Sequence, residues 1–304
     1  MERNISNINW YPGHMKKTRE MMTSNLKLVD LLIEVIDARI PQASRNPVID
    51  EIAGNKKRVI VLNKSDLSDS GENRRWLAAF QRSGHEAFLL NSMSGEGTKT
   101  LTKALVSAQE RKNSATRVKK PLRLMVAGVP NVGKSSLINR LVGRKSARIG
   151  DKPGVTRGKQ WLALESGMQL LDTPGILWPK FEDPDVGIKL AICGAIKDET
   201  MELEGLALEL LIYLIRDYPD LLDSRYRIDC LNSGFDGEDA LAEPSMTAIA
   251  VRAMESVALK RGYLLPGKRI DCLRASKSLL DDFRSAAIGR ITLERAPRLE
   301  GASP

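Results

Sequence analysis

Gly128-Val129-Pro130-Asn131-Val132-Gly133-Lys134-Ser135 is the stretch on which the reading of this chain turns. The apolar run Leu122 to Ala127 ahead of it reads as a strand, and Lys134 to Val142 behind it reads as a helix. Strand, glycine-bounded loop and helix in that order form a phosphate cradle. Gly128 and Gly133 permit the tight path that aims successive N–H groups at a β-phosphate. The run Asn131, Val132, Gly133, Lys134, Ser135 and Ser136 supplies the candidate contacts. Lys134 would neutralise the β- and γ-phosphates, which makes it a candidate catalytic group. The Ser135 hydroxyl would ligate Mg²⁺, and the helix N-terminus adds its dipole. A glycine-rich turn without function is the plain alternative, and the flanking strand and helix weigh against it.

Downstream, Asp172-Thr173-Pro174-Gly175 ends another apolar strand. Asp172 would hold Mg²⁺ through water, and the Gly175 N–H would meet a γ-phosphate. Thr156, in Pro153-Gly154-Val155-Thr156-Arg157, is the sole threonine between Ser136 and Leu171. It is therefore the candidate switch threonine that closes on Mg²⁺.

Upstream, Asn63-Lys64-Ser65-Asp66 follows the apolar run Arg58 to Leu62. An aspartate there accepts from N1–H and the exocyclic amine of guanine, and a buried carboxylate left unpaired rejects adenine. The Lys64 stem would cover the base. In Asn91-Ser92-Met93-Ser94, after the run Ala87 to Leu90, Ser92 or Met93 would offer a backbone N–H to the guanine O6. The bland reading of the first motif is a polar turn with Asp66 as a helix N-cap.

An ordinary G domain presents the phosphate loop first, then DxxG, then NKxD. Here NKxD comes first, so the expected fold is a circularly permuted P-loop G domain. Strands at Leu31–Ile36, Arg58–Leu62, Ala87–Leu90 and Leu122–Ala127 alternate with helical stretches. That grammar predicts an α/β sheet covered on both faces. Each motif lies at the carboxyl end of a strand, where such sheets bind ligands. Trp161–Leu164 and Met168–Leu171 read as a strand pair turned at Ser166-Gly167. From about Asp198 the spacing becomes helical throughout: Leu203, Leu206, Leu210 and Leu214, then Pro244 to Lys260, then Asp271 to Ala287. The expected domains are therefore 1–197, the G domain, and 198–304, all-α.

Many GTPases carry a water-orienting Gln directly after the DxxG glycine. This chain has Ile176 there, which cannot orient water, so another residue must act or hydrolysis is slow. Of its two histidines, His85 precedes a strand and reads as a surface residue. His14 lies in the aromatic segment Trp10-Tyr11-Pro12-Gly13-His14-Met15, where Pro12-Gly13 reads as a turn, and is the catalytic candidate.

The chain has 304 residues with 42% hydrophobic and 28% charged content, ordinary for a globular protein. No run is long and apolar enough to span a bilayer, and the polar Met1–Asn9 has no signal-peptide core. The expected setting is cytoplasmic, without a membrane partner. Cys193, Cys230 and Cys272 have neither zinc nor disulfide spacing and read as buried thiols. The net charge of +9 is uneven. Residues 1–197 carry 33 basic against 19 acidic side chains, 198–243 carry 3 against 13, and 244–304 carry 11 against 6. Two basic regions flanking an acidic one point to a polyanion met by more than one surface.

Taken together, these residues resemble the ribosome biogenesis GTPase A family of bacterial circularly permuted GTPases, over nearly the whole chain. Trp10-Tyr11-Pro12-Gly13-His14-Met15-Lys16-Lys17, Asp37-Ala38-Arg39-Ile40-Pro41 with Asn46-Pro47, Asp172 to Phe181, and Leu279 to Arg284 with Ile288-Gly289-Arg290 carry the likeness. Gly262 to Lys268 departs from the family pattern. The resemblance implies GTP/GDP and Mg²⁺ as ligands, and an RNA-binding-like helical domain. It also implies action late in large-subunit assembly, and hydrolysis stimulated by the large ribosomal subunit or its precursor. Through the family, His14 is implied to serve hydrolysis, and Asn131 to accompany potassium stimulation. The protein off the ribosome is expected to be a monomer. Two alternatives stand beside this. One is a GTP-gated ribosome- or RNA-binding module in which hydrolysis is incidental. The other is an ATP-using P-loop enzyme, which Asp66 disfavours.

Overall fold

A computed structural model describes residues 12–54, 56–114, 118–143, 148–149, 161–164, 166–171, 183–230 and 245–297, giving the backbone alone for 12–18 and 148–149. Contacts divide these residues into two compact units. One is Asp183–Leu293, and the other is the remainder, including the tail 294–297.

The unit that holds the motifs contains, in order, α1 (Pro12–Leu26), β1 (Leu31–Asp37), α2 (Pro47–Ala53), β2 (Lys57–Asn63), α3 (Ser70–Arg82), β3 (Glu86–Leu89), α4 (Thr98–Ser114), β4 (Arg123–Ala127), α5 (Lys134–Val142), β5 (Arg148–Ile149), β6 (Trp161–Ala163) and β7 (Gln169–Leu171). They form one sheet of order β3-β2-β1-β4-β7-β6-β5. The first five of these strands are mutually parallel, while at the edge β6 runs antiparallel to β7 and β5 antiparallel to β6. Every residue of the central β1 is buried, as a parallel strand with both faces covered requires. Met22, Leu26, Ile49 and Ala53, from α1 and α2, pack on Leu32, Met125 and Leu171. Trp76 and Phe80 of α3 pack on Ile36, Ile60 and Leu62. The P-loop architecture and the predicted strands are thus present, in permuted order.

Pro12-Gly13, expected as a turn, instead opens α1. Proline is preorganised for the first helical turn, where its missing N–H is not needed. Asn46-Pro47 does the same at α2, and the Asn46 side chain caps Val48 N at 2.9 Å. A tail that the sequence pattern did not reveal closes this unit. The Glu294 carboxylate accepts from Gln42 N at 2.6 Å and Ala43 N at 3.1 Å. Trp76 Nε1 donates to the Glu294 carbonyl at 3.0 Å, and Ala296 N to Glu72 at 3.0 Å.

The second unit is helical: α6 (Pro184–Ile192), α7 (Leu203–Asp217), α8 (Pro219–Tyr226), α9 (Met246–Arg261) and α10 (Cys272–Arg284), with a small hairpin of β8 (Leu264–Leu265) and β9 (Arg269–Ile270) between the last two helices. The Gly262 to Lys268 segment thus builds this hairpin. α7 packs against both α9 and α10, and Leu206, Leu210, Ala253, Val257, Leu279 and Phe283 of these helices are all buried. Arg284 clamps the end of α10 to the end of α6, donating to the Ile192 carbonyl at 2.9 Å and to Asp198 at 2.7 Å. Asp282 accepts from Arg225 at 3.0 Å and Tyr226 at 2.9 Å. Cys193 and Cys230 are buried as expected, but Cys272, in the first turn of α10, is partly exposed. No described helix is long and apolar enough to cross a membrane.

Candidate functional site

The ends of β2, β3 and β4 open into a cleft of about 410 Å³. Asn63, Lys64, Asp66, Ser92, Met93, Asn131, Gly133, Lys134, Ser135 and Ser136 all line it. Strand order explains the meeting of segments so far apart in sequence. β1 lies between β2 and β4, so all three loops emerge at the same carboxyl edge.

Two glycines are forced by close approach. Gly128 has φ +153°, and a Cβ there would sit 2.2 Å from the Val35 carbonyl oxygen. Gly133 has φ +94°, and its Cβ would sit 2.2 Å from Asn63 Nδ2. Both conditions exclude a side chain. The second arises because Asn63 reaches across to the phosphate loop.

Asn63 is 2% exposed and ties three loops together. Its Nδ2 donates to the Val132 carbonyl at 2.7 Å, and its Oδ1 accepts from Ser92 N at 3.0 Å and Ser92 Oγ at 2.7 Å. Asn63 is thus a positioning residue, and Val132 meets it through its backbone carbonyl, while its buried side chain does not line the cleft.

Lys64 adopts a left-handed backbone, φ 61°, and its Nζ lies 2.9 Å from Asp37 Oδ2. Strand register places Asp37 beside Asn63. Arg39 also grips Asp37, with Nε to Oδ1 at 2.9 Å and Nη2 to Oδ2 at 2.8 Å. Burial alone would raise the Asp37 carboxyl, but Arg39 and Lys64 outweigh it and hold it well below the usual carboxylate range. With its head anchored, Lys64 leaves its stem as part of the cleft wall.

Asp66 is exposed to the cleft, and its carboxylate engages no protein group among the described residues. The N-cap of α3 is Asp69, which accepts from Glu72 N at 2.7 Å. The bland reading of Asp66 as a cap therefore fails.

The loop after β3 is held from two sides. Asn91 Oδ1 accepts from Met93 N at 2.9 Å and Ser94 N at 3.1 Å. Arg140, on α5, donates through Nε to the Ser92 carbonyl at 3.2 Å and through Nη2 to that of Met93. The Ser92 and Met93 N–H groups expected at a guanine O6 are thus both engaged by side chains here. Sequence reasoning gave no role to Asp37, Arg39, Asn91 or Arg140. The Asp37-Ala38-Arg39 block was the one available signal.

Lys134 is buried, and its Nζ donates to the Val129 carbonyl at 2.5 Å. Burial lowers its pKa to about 8. Ser135 stands exposed at the start of α5. Among the described residues no group of three His, Cys, Asp or Glu side chains could hold a metal. His85 does not line the cleft. The His14 side chain, Thr156, Asp172, Gly175 and Ile176 lie outside the described residues.

Comparison with known proteins sets this site in context. A family model described as 50S ribosome-binding GTPase matches residues 123–225. Ribosome biogenesis GTPase A of Bacillus cereus is 40% identical over 291 residues, covering 94% of this chain and 93% of its own. Mitochondrial ribosome-associated GTPase 1 of Mus musculus is 35% identical, covering 94% and 90%. The crystal structure of GNP-bound YlqF from T. maritima superposes with a TM-score of 0.62 at 28% identity, covering 93% of this chain and 100% of that one.

Proposed function

We propose, because this chain belongs to the ribosome biogenesis GTPase A family, that it is a GTP-hydrolysing factor that binds the large ribosomal subunit or its precursor and promotes late maturation. The chain is a GTPase with a guanine-nucleotide site, and its relatives place it in ribosome biogenesis. The large subunit is itself the stimulus for hydrolysis.

The observation that supports the chemistry is one cleft in which an unengaged Asp66 carboxylate faces the same space as Lys134 and Ser135. Asp66 reads guanine, against a wall set by Lys64. Asn63 and Arg140 hold the base side and the phosphate side in register. Lys134 gives its charge to the β- and γ-phosphates, exchanging the Val129 carbonyl for them. Ser135 would offer Mg²⁺ a hard oxygen of the kind it takes, with Thr156 as a further protein ligand and Asp172 holding the ion through water. That ion neutralises charge on the phosphates. Asn131 is the residue that would accompany potassium stimulation, and the Gly175 N–H would meet the γ-phosphate. His14 orients the attacking water in place of the glutamine that Ile176 replaces. The basic regions 1–197 and 244–304 meet rRNA phosphates.

Single-turnover GTP hydrolysis, alone and with purified large subunits, tests this. Slow turnover alone and strong stimulation by large subunits is the expected result. Equal rates with and without the particle would favour the binding module in which hydrolysis is incidental.

A further inference from the structure

The helical unit carries a notch that nucleotide chemistry does not use. It lies where the start of α7, the middle of α9 and the start of α10 meet, with a volume of about 110 Å³. Leu208, Val251 and Met254 give it an apolar wall. Glu204 and Glu255 also line it, both exposed. Neither carboxylate has an ion pair or hydrogen bond among the described residues. After burial, the charges of Glu204, Glu255 and Asp271 push the nearby Cys272 thiol up.

A second, independent observation points to a ligand. Ser276 lines the notch at 0% exposure, and its Oγ has no hydrogen-bond partner. A buried hydroxyl without a partner is a standing cost, and native folds retain few of them. What would satisfy it is a donor that enters the notch.

The chemistry selects that donor. Two uncompensated carboxylates repel a nucleic-acid phosphate. A lysine or arginine side chain matches every feature. Its methylene stem suits Leu208, Val251 and Met254, its charge suits Glu204 and Glu255, and its N–H is the donor that the Ser276 hydroxyl lacks. Val251 at 39% and Leu273 at 46% exposure leave apolar surface at or beside the rim for the residues flanking such a side chain. We propose that this notch is a docking site for a lysine or arginine side chain of a basic protein partner. On a chain whose net charge of +9 favours polyanions, it gives the helical unit a separate protein-reading contact.

Cys272 is a built-in reporter, because Cys193 and Cys230 are buried. The full-length protein is titrated with a fluorescein-labelled lysine-glycine peptide, with the same peptide carrying norleucine for lysine, and with a single-stranded RNA. Peptide binding is read by anisotropy, and occupancy of the notch by protection of the Cys272 thiol from a disulfide reagent. The lysine peptide should bind and protect the thiol, whereas the norleucine peptide and the RNA should do neither. The surface variant Glu204→Gln/Glu255→Gln should bind the lysine peptide roughly tenfold more weakly, as expected for lost charge-assisted bonds. Ser276→Ala should weaken binding severalfold without lowering Tm. Equal binding of the norleucine peptide, undiminished binding by the glutamine variant, or thiol protection by RNA would each overturn the proposal. Binding of the lysine peptide without thiol protection would place it elsewhere and overturn it too.

Discussion

Replacing Asn63 by alanine tests whether one buried amide holds the base and phosphate halves of the cleft together. The side chain makes three hydrogen bonds, to the Val132 carbonyl, Ser92 N and Ser92 Oγ, all between 2.7 and 3.0 Å. At roughly 0.5–1.5 kcal/mol net per bond, the sum is about 1.5–4.5 kcal/mol. The bonds share one amide and are not additive, so about 2–3 kcal/mol is the working figure. Both loops must be in register to bind nucleotide, so most of that loss should fall on affinity, weakening GDP and GTP by roughly 30- to 150-fold. It should appear mainly as faster release. Stopped-flow release of a fluorescent GDP, with thermal unfolding measured alongside, gives the answer. Asn63→Asp is the sharper variant, because it sets an oxygen against the Val132 carbonyl and should be at least as damaging. GDP release within about twofold of wild type in both variants, against the ~100-fold expected from the lost bonds, would refute the positioning role.

Asp66→Asn should move preference from GTP towards XTP, because the 2-oxo group of xanthine needs a donor where guanine offered one; a competition assay with unchanged GTP selectivity would refute the guanine reading. Lys134 has its pKa lowered to about 8 by burial, and phosphates favour its charged form. GTP affinity should therefore be flat below that pH and fall above it, as calorimetry across pH would show. The sign for stability is the reverse. The unfolded chain holds the Lys134 proton more tightly, so this group makes the ligand-free protein more stable as pH rises from about 8 towards the ordinary lysine value. His14→Ala should keep GTP binding and particle binding but lose stimulated hydrolysis by roughly 10²- to 10⁴-fold. A normal stimulated rate would assign the water-orienting group to the particle.

What the sequence disclosed was whatever depends on short spacing. The phosphate loop, NKxD, the permuted order and the buried strands follow from local glycine, charge and apolar patterns, and they meet in one cleft. What stayed hidden depends on partners far apart in the chain. Arg140 is an ordinary basic residue on a helix until the sheet brings it to Ser92 and Met93. Glu294 finds Gln42 and Ala43 across nearly the whole chain, and no periodicity announces it. Asp37 reads as a strand end, and only register with Asn63 shows that it holds Lys64. Pro12-Gly13 misled because the same pair suits a turn and a helix start. Asn91 was passed over because many Asn side chains can accept from the backbone just ahead of them, and only the path of the chain after β3 shows that this one takes Met93 and Ser94 N.

On the function proposed above, GTP commits this chain to the large ribosomal subunit. Co-sedimentation with resolved ribosomal particles, in the presence of a non-hydrolysable GTP analogue or GDP and across a salt series, tests it most directly. The analogue-bound chain should travel with large-subunit particles, GDP should release it, and binding should fall steeply with salt as counterions return to rRNA phosphates. Association with small-subunit particles, or equal binding with GDP and the analogue, would contradict it.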